Sequence, residues 1–292
     1  MPSFVTSEPI SLIVDLSVGE VRVTASDRDD AVVDVRPSNE ARASDIRAAE
    51  QTRVEFSNGT LLIQGPKEWK RYAILRHNGS VDVTVGLPSR SEIRGDAGMG
   101  RFECGGELGR CELKTGVGRI RLDRTGAVRA QTGYGDIVLD QAVGDVDVKT
   151  GSGDITINGV DGPATIKNSD GDIHVGETTG DLRIKAANGN ISIGRAQVSV
   201  AAKSANGNVR IGEAVRGSVV LETAAGDVAV GIPEGTAAWL DASTQYGKVR
   251  NSLSASEGPG ESLETVEVRA RTSYGNIEVH RSRTHQARAG RG

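Results

Sequence analysis

Lys149, Lys167, Lys185 and Lys203 recur at a constant interval of 18 residues, with Lys114 ahead of them. A row of ammonium groups at a fixed repeat can attract an anionic partner. An acidic protein surface, a polyanionic glycan and a phosphate backbone all qualify. Each lysine precedes a glycine turn, and beyond the turns stand Asp154, Asp172, Asn190 and Asn208. Lys149 and Lys167 thus have a carboxylate across the turn. Lys185 and Lys203 face amides, which leaves their charge less compensated. Arg183 extends the row, and Arg210 lies near it. The candidate binding residues are therefore Lys149, Lys167, Lys185, Lys203 and Arg183. The same spacing suits a solvated face that keeps strand edges from associating. No aromatic residue interleaves the row to stack on bases, so nothing in it favours nucleic acid.

A second row is acidic: Asp136, Asp154 and Asp172, then Asn190, Asn208 and Asp227. Stacked one rung apart, like charges would repel at about 5 Å unless something compensates. Calcium does this in β-rolls that carry Gly-Gly-x-Gly-x-Asp repeats. Here the acid follows its glycine directly, and two copies have lost the charge. The expectation is that each side chain accepts backbone N–H bonds within its own turn, and no metal site is assigned. Cys104 and Cys111 fit inward strand positions and read as small buried hydrophobes. His77 is the only histidine before position 174. Tyr134, Tyr246 and Tyr274 share one turn position, on rungs that are not all neighbours, and could stack on a sugar. His174 points outward alone. No Ser-His-Asp set, P-loop or zinc spacing occurs, and the Gly-x-Gly copies lack a following helix. No catalytic residue and no cofactor is assigned, and the chain reads as non-enzymatic.

The elements that carry these rows repeat. From Gly118 the pattern Gly-polar-apolar-x-apolar returns at glycine spacings of 17, 18, 18, 18, 18 and 19. A second glycine series (Gly109, Gly126, Gly144, Gly162, Gly180, Gly217) is offset by half a period. Each half-repeat predicts a strand of about five residues and a turn of about four. Alternation puts Val146, Val148, Ile155, Ile157, Ile166, Ile173, Val175, Leu182, Ile184, Ile191 and Ile193 inside. Two strands per repeat then coil into a β-solenoid, a parallel β-helix-like fold with about 18 residues per two-strand rung. The turns read Thr-Gly-x-Gly or a relative, from residue types that accept positive φ.

Residues 1–98 read as a β-rich cap at the N-terminal end of the array. Ser11–Leu16 and Gly19–Thr24 are strands around a turn, and Ala31–Val35 ends before Pro37. Ser44–Gln51 is one short helix with Ser44 as N-cap. Asn58-Gly59 turns a hairpin. Residues 99–279 hold the solenoid, interrupted by a Ser/Gly/Glu-rich loop over 252–262. Residues 280–292 form a basic tail without apolar pattern.

Aromatic residues are 3% of the chain, glycines number 38, and net charge is −4. That balance suits aliphatic strands and tight turns, and gives no global electrostatic case for nucleic acid or an anionic membrane. No basic segment with an apolar run opens the chain, and no apolar stretch could span a bilayer. The expected location is the cytoplasm.

The Gly-Asp-[Ile/Val]-x-[Ile/Val] copies, with the opening Ile10-Ser11-Leu12-x-Val14-x-Leu16-x-Val18-Gly19-Glu20-Val21-x-Val23, resemble the bacterial putative-adhesin family of β-strand-repeat proteins. Its domain is one of unknown function. The resemblance covers most of the chain and implies a β-solenoid. Its name implies surface attachment, and it supplies no catalytic residues. The leading expectation is a rigid surface for protein interaction or self-assembly. A surface adhesin exported by an unrecognised route and a β-helix polysaccharide enzyme are the alternatives.

Overall fold

Short runs of Val, Ile and Leu punctuated by glycine favour short strands joined by sharp corners. The structure is a computed structural model that describes residues 2–6, 8–66, 79–253 and 264–282. Most of the loop expected at 252–262, most of the basic tail and His77 lie outside the described residues. The fold is an all-β solenoid with two strands to each rung. The chain divides into two compact units, Met1–Gly171 and Asp172–Gly292.

The first unit opens with β1 (Ser3–Val5), β2 (Ser11–Ser26) and β3 (Asp30–Pro37), then helix α1 (Ala43–Gln51). Next come β4 (Arg53–Ser57), β5 (Thr60–Gln64), β6 (Val81–Pro88) and β7 (Glu92–Glu107). From there each rung is a pair. β8 (Cys111–Val117) precedes β9 (Ile120–Thr125), β10 (Val128–Tyr134) precedes β11 (Ile137–Val143), and β12 (Val146–Ser152) precedes β13 (Ile155–Asp161), with β14 (Ala164–Asp170) last. Each strand lies parallel to the strand one full repeat away: Val128 beside Val146, Ile137 beside Ile155. These strands have six or seven residues, longer than the repeat predicts. The Thr-Gly-x of the turn motif continues the ladder instead of leaving it, as Thr132 beside Thr150 and Tyr134 beside Ser152 show.

β2 and β7 each cover both halves of a rung in one continuous strand, with Gly19 beside Gly100 at the corner. β5 and β6 pair with β2 in parallel. Outside them the direction reverses: β4 on β5, β3 on β6 and β1 on β3 are antiparallel. Phe4 stacks on Phe56 at 5.2 Å, and α1 packs on β3 and β6. Arg42 holds the N-cap position of α1 without a side-chain bond. Ser44 is already inside the first turn, and its hydroxyl donates to Asp45 Oδ1 at 3.0 Å, so it does not cap.

Inward residues stack in columns. Leu113, Ala130, Val148 and Ile166 form one, Ile120, Ile137 and Ile155 another, and Leu122, Leu139 and Ile157 a third. All are buried. Phe102 fits because Gly95 stands opposite, where a Cβ would lie 2.6 Å from the ring. β11 carries two consecutive exposed residues, Asp140 and Gln141, and then buries Ala142. β13 likewise buries Val160, after exposed Asn158 and half-buried Gly159. This phase slip adds an inner position that strict alternation does not predict.

The second unit continues with β15 (Ile173–Thr178), β16 (Leu182–Asn188), β17 (Ile191–Ala196), β18 (Val200–Asn206), β19 (Val209–Ala214), β20 (Gly217–Ala225) and β21 (Val228–Ile232). It closes with β22 (Thr236–Tyr246), β23 (Val249–Asn251), β24 (Glu264–Tyr274) and β25 (Ile277–Arg281). Here spatial order departs from chain order. β24 lies between β20 and β22, and β25 lies between β21 and β23. Burial explains the exchange. The later rung presents Val266, Val268, Ala270, Ile277 and Val279 inward, all buried. The earlier one presents Ala238, Leu240 and Ala242, which stay half-buried, and Val249, which is 46% exposed. The more apolar rung takes the place with neighbours on both sides, where its burial is worth most. No helix among the described residues is long and apolar enough to cross a membrane.

Candidate interaction surface

The lysine positions fall on outward faces, as strand alternation requires. In the first unit Lys149 on β12 and Lys167 on β14 stand directly opposite each other, with Gln131 and then Lys114 on the preceding strands. In the second unit Lys185 on β16 stands opposite Lys203 on β18, and Arg183 stands opposite Ala201. All five candidate residues are exposed. Among the described residues, Lys149, Lys167 and Lys185 form no ion pair. Lys203 does: its Nζ lies 2.7 Å from Glu222 Oε2. The turn spacing leaves Lys203 uncompensated, but Glu222 is its in-register neighbour on β20. The compensating charge comes from across the ladder, not from along the chain.

The corner beside these rows is built from buried hydroxyls and amides. Thr132 Oγ1 donates to the Gly118 carbonyl at 3.1 Å, Thr150 Oγ1 to the Gly135 carbonyl at 3.1 Å, and Asn168 Nδ2 to the Gly153 carbonyl at 3.0 Å. In the second unit Thr223 donates to Gly207 at 2.9 Å and Thr272 to Gly226 at 2.9 Å. The threonine of Thr-Gly-x-Gly is therefore an interior tie between rungs. It satisfies a carbonyl that the corner would otherwise leave unpaired.

The acid row makes a second tie. Asp136 Oδ1 accepts the Asp154 N–H at 3.1 Å. In the second unit Asp172 accepts the Asn190 N–H at 2.8 Å, Asn190 that of Asn208 at 3.0 Å, and Asn208 that of Asp227 at 2.8 Å. Asp227 accepts the Asn276 N–H at 2.7 Å. These bonds run to the neighbouring rung, not within the same turn as expected. Strand spacing of about 4.8 Å is within a short side chain's reach. Only a carbonyl-type oxygen is required, so asparagine replaces aspartate without loss of the tie. No cluster of three or more His, Cys, Asp or Glu able to hold a metal occurs among the described residues.

Asp136 also meets Arg119, whose guanidinium lies 2.7 Å away. That bond first, and the Asp154 N–H second, hold its carboxyl below the ordinary aspartate range. A depressed folded-state pKa means the ionised form stabilises the fold at pH values above about 4, the unfolded-state value. The contribution is lost as pH falls through the lower folded value. Asp136→Asn keeps an acceptor for Asp154 and removes the titration. Urea melts across pH should show a shallower loss of stability below about pH 4 for the variant. The side chain is 36% exposed, so the difference should be small and should shrink with salt.

The sequence matches the family described as Toastrack DUF4097 over residues 11–283. The chain belongs to that family. The glycine copies that carry the adhesin resemblance lie inside the matched span. Among solved structures, this Toastrack chain is similar to a putative adhesin from Bacteroides fragilis at 13% identity, covering 95% of each chain, with a TM-score of 0.34. It is also similar to a putative lipid binding protein from Parabacteroides distasonis at 12% identity, covering 95% of each chain, with a TM-score of 0.42. A putative cell adhesion protein from Clostridium sporogenes follows at 11% identity, covering 96% of this chain and 98% of that one, with a TM-score of 0.21. No curated protein matches the sequence.

The remaining chemistry-bearing residues of the Toastrack chain are placed as follows. Cys104 and Cys111 are buried, beside Leu122 and Val128 respectively. Burial pushes both thiols up, that of Cys111 to about 12, which keeps them protonated and unreactive. His174 is exposed opposite Ser192. The exchanged rung order makes Tyr246 and Tyr274 direct neighbours, with rings 4.9 Å apart and 8° from parallel. Tyr134 is separate, exposed in a corner column between Val117 and Ser152.

Proposed function

We propose that this Toastrack chain is a non-enzymatic interaction surface whose lysine rows meet an anionic partner. The observation that carries the reading is the in-register pair Lys149 and Lys167, exposed and without an ion pair among the described residues. Like charges directly opposite on neighbouring strands destabilise a sheet. An anion laid across both ammonium groups would remove that cost. Among the described residues, the buried corner residues Thr132, Thr150 and Asn168 are engaged in ties between rungs, which supports the same reading.

The test uses a sulfated polysaccharide as the anionic probe and follows binding as salt is raised. Lys149→Glu with Lys167→Glu should weaken binding about tenfold and make the log–log salt slope shallower by about two. Lys203→Glu alone should do less, since Glu222 already neutralises that lysine. Binding unchanged by the double reversal would leave the rows as a solvated face.

A further inference from the structure

We propose that the edge formed by β22 and β23 pairs with the same edge of a second copy, giving a two-fold antiparallel dimer. The inference is independent of the lysine rows. Among the described residues β22 pairs only with β24, and β23 only with β25. Among the described residues, one side of this 11-residue strand is therefore an open row of backbone donors and acceptors. Exposed edges are commonly protected by lysine, proline, a bulge or shortness. β22 has no lysine and no proline. Its one charge, Asp241, is turned back to Arg271 at 3.5 Å. Its inward residues Ala238, Leu240 and Ala242 are half-buried, although the equivalent residues of β24 are fully buried. Trp239 beside them is 59% exposed.

The occupant is a second copy of the same edge, on grounds of sequence pattern and register. Segments 254–263 (Ser-Ala-Ser-Glu-Gly-Pro-Gly-Glu-Ser-Leu) and 283–292 (Arg-Thr-His-Gln-Ala-Arg-Ala-Gly-Arg-Gly) lack the apolar alternation a covering strand needs. A head-to-tail stack would require a bare parallel edge in the first unit. There the outer strands β1, β3 and β4 are antiparallel to their neighbours, and α1 packs on β3 and β6. A second β22 has the matching alternation. An antiparallel register that sets Leu240 against its own copy also sets Ala238 against Ala242. Inward residues then stay inward in both chains, and the two interiors join. In that register Trp239 lies beside the partner copy's Asp241, and the two Asp241 carboxylates do not face each other.

Light scattering on the full chain should give twice its 30.6 kDa mass at high concentration. Trp239→Glu sets a carboxylate against Asp241 of the second copy and should weaken self-association about tenfold or more. Trp239 is exposed, so the monomer should fold unchanged, as its circular dichroism and melting would show. A nitroxide on Ser243→Cys gives an independent reading, since Cys104 and Cys111 are buried and stay unlabelled. In the proposed register the two labels are offset by six residues, about 20 Å. A monomer at all concentrations overturns the proposal. A dimer with no such short distance, or one untouched by Trp239→Glu, overturns it equally.

Discussion

Gly135→Ala should destabilise the first unit by about 3–5 kcal/mol, whereas Gly59→Ala should cost only about 1–2 kcal/mol. Both glycines have positive φ, +140° at Gly135 and +70° at Gly59. Their surroundings differ. At Gly59, in the two-residue turn between β4 and β5, a Cβ would meet nothing within 4 Å. Its cost is the local left-handed penalty alone. At Gly135 a Cβ would lie 2.1 Å from the Gly118 carbonyl oxygen. That oxygen belongs to the preceding rung and also accepts the Thr132 hydroxyl. The alanine can be accommodated only by opening the rung spacing, which breaks the ladder on both sides of the corner. Backbone strain of about 1–3 kcal/mol and overpacking of about 1–3 kcal/mol then combine. Equilibrium urea unfolding of the two variants would decide the matter. Equal losses would mean that the corner glycines serve the turn conformation only, and that close rung contact is not what selects them.

This contrast shows which parts of the fold were legible in the sequence. A constant glycine interval with alternating Val and Ile reports rung length and inward positions directly, because both depend on residues near in sequence. The 18-residue, two-strand rung and the burial of Ile155, Ile157, Val146 and Val148 follow from that alone. What depends on the neighbouring rung is hidden. Thr150 looks like a turn residue until Gly135 is found above it. Asp172 looks like a self-contained turn cap until the Asn190 N–H is found beside it. Lys203 looks uncompensated until Glu222 is placed across the ladder. The interval of 18 to 19 residues could have revealed the Asn190 and Glu222 partners, which lie one period away, whereas Gly135 lies 15 residues from Thr150 and off that interval. The exchange of the last two rungs had a weaker signal. Val266, Val268 and Ala270 outrank Ala238, Leu240 and Ala242 in apolar character, which is a competition for burial and not a local pattern. For the candidate surface, the sequence supplies the lysine spacing, and the ladder decides which lysines lack an acid.

Leu139→Ala and Ile157→Ala should each cost about 2–5 kcal/mol, and the double variant should depart from additivity. The two side chains are in-register neighbours on β11 and β13, and both are fully buried. Neither rung can bury its apolar face without the next, so each truncation removes contacts from two rungs at once. The first truncation leaves a cavity that the second enlarges or lets collapse, which gives a coupling of about 0.5–3 kcal/mol of either sign. Leu240→Ala supplies the internal comparison. Its side chain is half-buried on β22, with a neighbour on one side only, so it should cost clearly less than Ile157→Ala in dilute monomer. Raising the protein concentration should widen the loss at Leu240 if copies join through that edge, and should leave the loss at Ile157 unchanged. A Leu240 cost as large as that at Ile157 in the monomer would show that the end rung is covered by something within the chain. The open edge would then be closed without a second copy.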